Sequence, residues 1–231
     1  GTINTTKTSA STTSGFSIST YTGNGTSGAT IGHGLGVAPS MIIAKRLNGV
    51  EDWGVYHKAL GASKYIILNT TGAEQSSTSR WGGVAPTNSV FTVGSHASVN
   101  ASSSTYVAYC FADVQGFSKF SSYKGNGNAD GAFVYTGFKP AFVMIKNSSA
   151  IESWYILDTK RPGYNTNNYY LLPNTNGAEG TSTTLATSLL SNGFKINNAD
   201  TSMNTSGQTY IYMAFAEAPL VGSNNVPATA R

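Results

Sequence analysis

The stretch Tyr106-Val-Ala-Tyr-Cys-Phe-Ala-Asp113 decides the fold, because a second version of it occurs as Tyr210-Ile-Tyr-Met-Ala-Phe-Ala-Glu217. Successive side chains of a strand point to opposite faces of its sheet, so each stretch divides into two sets of residues. In the first stretch these sets are Tyr106, Ala108 and Cys110 on one face and Val107, Tyr109 and Phe111 on the other. Apolar residues on both faces are typical of a strand that is covered on each side. Each stretch therefore predicts the central strand of a layered β structure.

Further blocks recur in the same order around this pair. They are residues 21–25 and 123–127, 39–45 and 140–146, Glu51 with Trp53 and Glu152 with Trp154, 69–74 and 174–179, and 91–93 and 194–196. A repeat period of about 100 residues is the size of one sandwich domain. Short strand-like runs between Gly- and Asn-rich turns are typical of antiparallel architecture. We predict an all-β fold with two tandem copies of an antiparallel β-sandwich-like module, related by internal duplication.

The repeat also sets the predicted domain boundaries. The first β module spans residues 15–117 and the second spans residues 118–219. Residues 1–14 are rich in Ser and Thr and predict a polar linker, whereas residues 220–231 predict an irregular tail. Leu185, Leu189 and Leu190 predict one helical turn before the Asn192-Gly193 turn.

Composition argues against several classes of partner. Charged residues make up only 10% of the chain, against roughly 25% in an average domain. The 14 Lys and Arg residues behind the net charge of +4 are scattered singly, so no basic run is present to bind a nucleic acid. No apolar run approaches the roughly 20 residues that cross a bilayer, so we expect no membrane insertion. With Cys110 as the single cysteine, no disulfide within the chain is expected.

Patterns that resemble catalytic or metal sites are better explained as structure. Gly23-Asn-Gly-Thr-Ser-Gly28 has the spacing of a dinucleotide-binding loop, but a poor helix former follows it. Asn126-Gly-Asn-Ala-Asp-Gly131 resembles half of a calcium loop, yet Gly137 stands where a bidentate Glu is needed. The three histidines lack zinc-ligand spacing, and Cys110 corresponds to Ala214, which indicates a structural thiol. We predict no catalytic residue, no metal site and no cofactor.

Aromatic and amide side chains are the remaining candidates for function. The chain has 13 Tyr and 3 Trp among many Asn, Ser and Thr residues, and connecting loops on a rigid scaffold are where recognition is usually found. We predict a glycan-binding set in two exposed loops: Arg80 and Trp81 in a first loop rich in Ser, Thr and Gly, and Tyr164, Asn165, Asn167, Asn168 and Tyr169 in a second loop that runs from Arg161 to Tyr170. Core packing is the alternative for Trp81 and Tyr164, and it is the prediction for Trp53 and Trp154, which match in the repeat.

Several stretches resemble one family. They are Gly32-His-Gly-Leu-Gly-Val-Ala-Pro-Ser-Met41, Trp53-Gly-Val-Tyr-His-Lys58, Lys119-Phe-Ser-Ser-Tyr-Lys-Gly-Asn-Gly127 and Ser191-Asn-Gly-Phe194. They resemble the C-terminal module of uncharacterised tailed-bacteriophage proteins described as tail-fibre-like or virion structural, a lectin-like β-sandwich family. The resemblance implies a position on the virion surface, an extracellular particle, next to other virion proteins. It also implies a homo-oligomer, with a trimer as the common form in phage fibres. It carries over no catalytic or binding residues.

Repeat, composition and resemblance together predict a non-catalytic module that recognises a host-surface glycan or receptor. One alternative is a capsid or tail module, structural or decorating, that has no ligand. A second alternative is a polysaccharide depolymerase, because carboxylates far apart in sequence can converge into the paired acids of a glycosidase.

Overall fold

The computed structural model of the protein describes residues 1–161, 165 and 167–217. The described residues form a nearly all-β fold in which the strands of every sheet pair antiparallel. The predicted fold class is therefore confirmed at the level of all-β, antiparallel, sandwich-like architecture. Common ancestry of the two halves stays a prediction.

The secondary structure alternates short strands with turns. In the first half the elements are β1 (Thr5–Ser11), β2 (Phe16–Thr22), β3 (Ala29–Gly32), β4 (Met41–Arg46), β5 (Gly54–His57), β6 (Lys64–Ile67), β7 (Gln75–Ser76), β8 (Val90–Val93), the helical turn α1 (Ala97–Asn100) and β9 (Thr105–Phe111). In the second half they are β10 (Ser118–Lys124), β11 (Phe133–Tyr135), β12 (Pro140–Asn147), β13 (Trp154–Asp158), β14 (Tyr169–Tyr170), β15 (Gly180–Thr181), a 3-10 turn (Thr183–Leu185), β16 (Thr187–Leu190), β17 (Gly193–Ile196), α2 (Thr201–Asn204) and β18 (Thr209–Ala216).

The chain divides into two compact units. Unit 1 comprises Gly1–Asn69 and Glu74–Asp113, and unit 2 comprises Thr70–Ala73 and the described residues from Val114 onward. The predicted boundary between residues 117 and 118 is thus four residues late. Thr70–Ala73, which lie between β6 and β7, belong to unit 2, although the sequence pattern places them within the first module.

Unit 1 is built around β9, as its sequence predicts. Its main sheet has the order β1-β2-β9-β4-β5-β6-β7, and β3 and β8 form a second sheet. Tyr106, Ala108 and Cys110 point from β9 into the core, where they join Ile31 and Phe91 of the second sheet. Burial of these apolar side chains between two layers is the main force that stabilises the unit.

Unit 2 repeats this plan around β18. Its main sheet has the order β10-β18-β12-β13, and a second sheet has the order β11-β17-β16. Tyr210, Tyr212 and Ala214 of β18 share a core with Phe194 and Ile196 of β17. The position of β18 between β10 and β12 confirms the prediction of a central strand.

Each unit also contains the same network around a buried asparagine, which we call the asparagine clasp. In unit 1, Asn100 of α1 donates from Nδ2 to the carbonyls of Thr26 and Gly94, both at 2.9 Å, and its Oδ1 accepts from the N–H of Asn24 at 2.9 Å. In unit 2, Asn204 of α2 donates to the carbonyls of Asn128 and Asn198, at 2.8 and 2.6 Å, and accepts from the N–H of Asn126 at 2.9 Å. The clasp therefore ties the Gly-Asn-Gly turn of each unit to the segment before its helical turn.

A stacked tyrosine pair lies beside each clasp. The rings of Tyr21 and Tyr106 stack at 5.2 Å between centroids, and those of Tyr123 and Tyr210 stack at 5.0 Å. Tyr106 donates its hydroxyl to the carbonyl of Ala97, and Tyr210 donates to the carbonyl of Thr201. The buried hydroxyls are thus satisfied within the unit, as buried polar groups generally are.

Two predictions about local structure are wrong. Residues 1–14 are not a linker, because Thr5–Ser11 forms β1 and pairs along the length of β2. This edge strand is held by its backbone ladder and is almost fully exposed, so its side chains carry no apolar alternation. The helical turn predicted at Leu185, Leu189 and Leu190 is a 3-10 turn at Thr183–Leu185 only, and the other two leucines lie in β16.

Candidate functional site

Trp81 and Arg80 lie in the core of unit 1, contrary to the expectation of exposure in a Ser/Thr/Gly loop. Trp81 is 1% exposed, packs edge-on against Tyr56 and donates from Nε1 to the carbonyl of Val55 at 3.3 Å. The guanidinium of Arg80 lies 3.7 Å from the centre of the Tyr65 ring, and its Nε donates to Ser98 Oγ at 3.1 Å. Neither side chain offers a surface on which a sugar ring could stack.

The residues predicted in the second loop lie in different environments. Tyr164 lies outside the described residues. Asn167 is fully buried and organises the loop, since it donates to the carbonyl of Asp158 at 2.8 Å and accepts from the N–H of Tyr169 at 3.1 Å. Asn165 is exposed, whereas Asn168 and Tyr169 are half-buried. Asn167 therefore connects the end of β13 to the start of β14, next to the residues of a surface groove.

This groove, which we call the Phe142 groove, is a concave surface among the described residues of unit 2. It has a volume of about 510 Å³ and is lined by Ala141, Phe142, Asp158, Thr159, Lys160, Arg161 and Glu179. A smaller hollow of about 270 Å³ shares Ala141, Thr159 and Lys160 with it and adds Lys139, Pro140 and Glu217. Strand ends position the lining, because Phe142 is near the start of β12 and Asp158 ends β13, and the two residues pair across the ladder.

Charges of both signs surround the apolar floor of the groove. Arg161 binds two carboxylates, with Nε donating to Asp158 Oδ2 at 2.8 Å and Nη1 donating to Glu179 Oε2. Lys160 pairs with Glu217, and this ion pair lowers the pKa of the Glu217 carboxyl. Thr159 Oγ1 is buried and, among the described residues, has no hydrogen-bond partner. In a chain with 10% charged residues, this concentration of ionised groups around one aromatic ring is unusual.

A second surface lies on unit 1, and we call it the Trp53 face after its residues Lys45, Glu51, Trp53 and Tyr109. The rings of Trp53 and Tyr109 stack with 6.4 Å between centroids and 19° between planes. Lys45 Nζ lies 5.9 Å from the Trp53 ring and donates to the carbonyl of Glu51. All four residues are half-buried, so the prediction that Trp53 is a core residue is wrong.

The matching residues of unit 2 are covered. Lys146, Trp154 and Met213 stand at the positions of Lys45, Trp53 and Tyr109, and they are 0%, 1% and 6% exposed. Burial lowers the pKa of Lys146 to about 8, against an opposing effect of the Glu152 carboxylate. The repeated positions thus carry an open surface in one unit and a closed one in the other.

Other candidate chemistry stays within the core or the turns. Cys110 is fully buried, and burial raises the pKa of its thiol to about 12, as expected for a structural cysteine. Across the described ranges, no group of three or more His, Cys, Asp or Glu side chains is arranged to hold a metal ion. Within the same ranges, no helix is long and apolar enough to cross a membrane.

Sequence reasoning missed the groove for identifiable reasons. Phe142 belongs to an apolar run that indicates a buried strand, and nothing in that run marks the end at which the sheet opens. Asp158 and Glu179 are separated in sequence and meet only through Arg161. The one available signal was Arg161 itself, which stands at the start of the predicted second loop.

The fold and the groove define a class of protein: two antiparallel, sandwich-like β units, with a charged, aromatic-floored groove on the second. The chain belongs to the family described as a domain of unknown function, DUF7483, whose model matches residues 1–219. No curated protein and no solved structure matches the chain.

Proposed function

We propose that the protein is a virion-surface module, of a tail fibre or similar structure, that binds a host-surface glycan without catalysis. The binding site is the Phe142 groove. The observation that carries the proposal is the combination, in one concave surface, of a half-buried aromatic ring with a guanidinium, an ammonium and two carboxylates. The resemblance of the sequence to tail-fibre-like phage proteins supports the virion setting.

The chemistry of the groove suits a hydroxyl-rich ligand. The apolar face of a pyranose ring packs on an aromatic side chain, as other apolar surfaces do. Charged groups form stronger hydrogen bonds than neutral ones, and the carboxylates of Asp158 and Glu179 would accept from sugar hydroxyls. Arg161 holds both carboxylates in place before any ligand arrives, which reduces the entropy lost on binding.

Affinity at one such groove is expected to be weak, because the groove is open to solvent. Many copies on one particle would raise the overall affinity by avidity, by factors on the order of 10²–10⁴. A screen should therefore display the protein on a multivalent carrier.

The decisive variant is Glu179→Ala, with Glu74→Ala as its matched control. Glu179 pairs with Arg161 at the groove, whereas Glu74, at the same position of the repeat, pairs with Lys64 in unit 1. Each pair is partly exposed, so each substitution should change the free energy of unfolding by about 1 kcal/mol or less. On a glycan array and in a cell-adsorption assay, Glu179→Ala should lose binding and Glu74→Ala should bind as the wild type does.

Three results would contradict the proposal. If the wild type binds no glycan in multivalent form, the structural or decoration alternative replaces it. If Glu179→Ala binds normally, the groove is not the site. If the protein shortens a host polysaccharide and Glu179→Gln abolishes the cleavage, the function is depolymerisation by the Asp158 and Glu179 carboxylates.

A further inference from the structure

We propose that the Trp53 face binds residues 175–178 of a second copy of the chain, in a head-to-tail contact. The proposal goes beyond glycan recognition and does not depend on it. It rests on a contact that unit 2 already makes and that unit 1 is equipped to make but does not.

In unit 2 most of the residues that match the Trp53 face are buried, and the hydrogen bonds there show what this surface can bind. The segment Thr70–Ala73 belongs to unit 2. The carbonyl of Thr71 accepts from Lys146 Nζ at 3.2 Å and from the N–H of Glu152 at 3.0 Å. Lys146 Nζ also donates to the carbonyls of Asn147 and Ala150, at 2.7 and 3.3 Å. A buried ammonium needs such acceptors, and one of the three comes from this segment.

Unit 1 presents the same two donors without that acceptor. Lys45 matches Lys146, its Nζ donates to the carbonyl of Glu51, and the residue as a whole is half-buried. Glu51 matches Glu152, and its backbone N–H has no hydrogen-bond acceptor among the described residues. Beside them lie the stacked rings of Trp53 and Tyr109, which remain half-exposed. The surface therefore lacks one carbonyl-bearing segment.

The chain contains a second segment of the required kind. Residues 175–178, Thr-Asn-Gly-Ala, match Thr70–Ala73, Thr-Thr-Gly-Ala. The residues that precede the two segments are anchored alike, since Asn69 Oδ1 accepts from the N–H of Trp53 at 2.8 Å and Asn174 Oδ1 accepts from the N–H of Trp154 at 2.9 Å. Both segments therefore leave their sheets at the same point. Residues 175–178 are exposed.

The Trp53 face offers hydrogen-bond donors, and residues 175–178 offer a backbone acceptor. Two copies of the chain can therefore bind each other, with the Trp53 face of one copy contacting residues 175–178 of the other. In this mode the carbonyl of Asn176 in one chain would accept from Lys45 Nζ and the Glu51 N–H of the next. Because the two surfaces differ, the contact is heterologous, and repetition closes a ring or extends a filament.

Tryptophan fluorescence and mass together test the contact. Trp53 is half-exposed, whereas Trp81 and Trp154 are 1% exposed. Acrylamide should therefore quench one of the three tryptophans in dilute monomer and none in the assembly. Sedimentation over a concentration series should show an assembly that forms over the same range in which quenching disappears.

Two variants should each break the assembly without unfolding the chain. Lys45→Glu replaces a donor by a charge that repels the incoming carbonyl, and Gly177→Arg adds bulk to the exposed segment. Each should weaken self-association by about tenfold or more while leaving the melting temperature nearly unchanged. Lys7→Glu makes the same charge change on the exposed strand β1 and should assemble normally. Glu179→Ala should also assemble, which separates this contact from the Phe142 groove.

Mixing the two defective variants gives the sharpest result. Lys45→Glu retains an intact 175–178 segment, and Gly177→Arg retains an intact Trp53 face, so the mixture should form a 1:1 dimer and nothing larger. A wild type that stays monomeric at all concentrations would overturn the proposal. An assembly in which Trp53 stays quenchable, or two variants that assemble normally, would overturn it equally.

Discussion

Replacing Asn100 by alanine should destabilise unit 1 by about 2–4 kcal/mol. The side chain is fully buried and makes three hydrogen bonds, two to carbonyls and one from a backbone N–H, each of 2.9 Å. A buried hydrogen bond contributes about 0.5–1.5 kcal/mol net, so the three contribute about 1.5–4.5 kcal/mol. Asn24 is an exposed residue, so water can replace the lost acceptor of its N–H, which argues for the middle of that range.

Urea titration followed by tryptophan fluorescence measures this effect. Trp53 and Trp81 both belong to unit 1, so the signal is weighted towards the affected unit. Asn24→Ala is the matched control. Among the described residues, the side chain of the exposed Asn24 only accepts from the N–H of Thr26 at 2.9 Å, so the substitution should cost about 1 kcal/mol or less. Asn204→Ala should reproduce the large effect in unit 2. A loss below about 0.5 kcal/mol for Asn100→Ala, the size of an ordinary surface change, would refute the role of the clasp.

Two further predictions concern buried titratable groups. Because burial raises the pKa of Cys110 to about 12, the native thiol should resist a thiol reagent at pH 8 and react fully in urea; rapid native labelling would contradict the burial. The pKa of Lys146 is lowered from 10.5 to about 8, so the unfolded chain binds more protons between these values. Lys146 should therefore contribute a rise of about 1 kcal/mol in the free energy of unfolding between pH 8 and 9. Cys110 offsets about a third of this contribution, because its thiol ionises in the unfolded chain around the ordinary pKa of 9.0 while burial keeps it neutral in the folded protein. Lys146→Met should abolish the rise in urea titrations, and an unchanged slope in that variant would assign it to another group.

The central strands could be predicted from the sequence because their burial is encoded locally. Both faces of β9 and β18 are apolar, and in a layered fold a strand of that kind is expected at the centre of a sheet, where both of its faces are covered. The edge strand β1 could not be predicted in this way, since its Thr and Ser side chains face solvent and its ladder depends on the backbone alone. The helical turns α1 and α2 are four residues each, which is too short for a helical period to appear.

The site was harder to predict than the fold, because local composition misleads about exposure. The polar residues around Trp81 indicate a surface loop, yet the indole lies in the core of unit 1. Trp53 and Trp154 match in the repeat and would be expected to share one environment, but one is half-exposed and the other buried. Thr70–Ala73 contacts Lys146 and Glu152, which lie near Trp154 in unit 2, and this long-range contact is not encoded by any residue near either tryptophan.

Because Thr70–Ala73 belong to unit 2, unit 2 is incomplete when it is produced as a separate fragment. A fragment cut at the compact boundary, from residue 114 onward, would leave behind the carbonyl of Thr71. Lys146 and the Glu152 amide would then each be short of an acceptor. The two units are therefore interleaved along the polypeptide. During synthesis on a ribosome, unit 2 would complete its fold with Thr70–Ala73, a segment that is synthesised well before the rest of that unit.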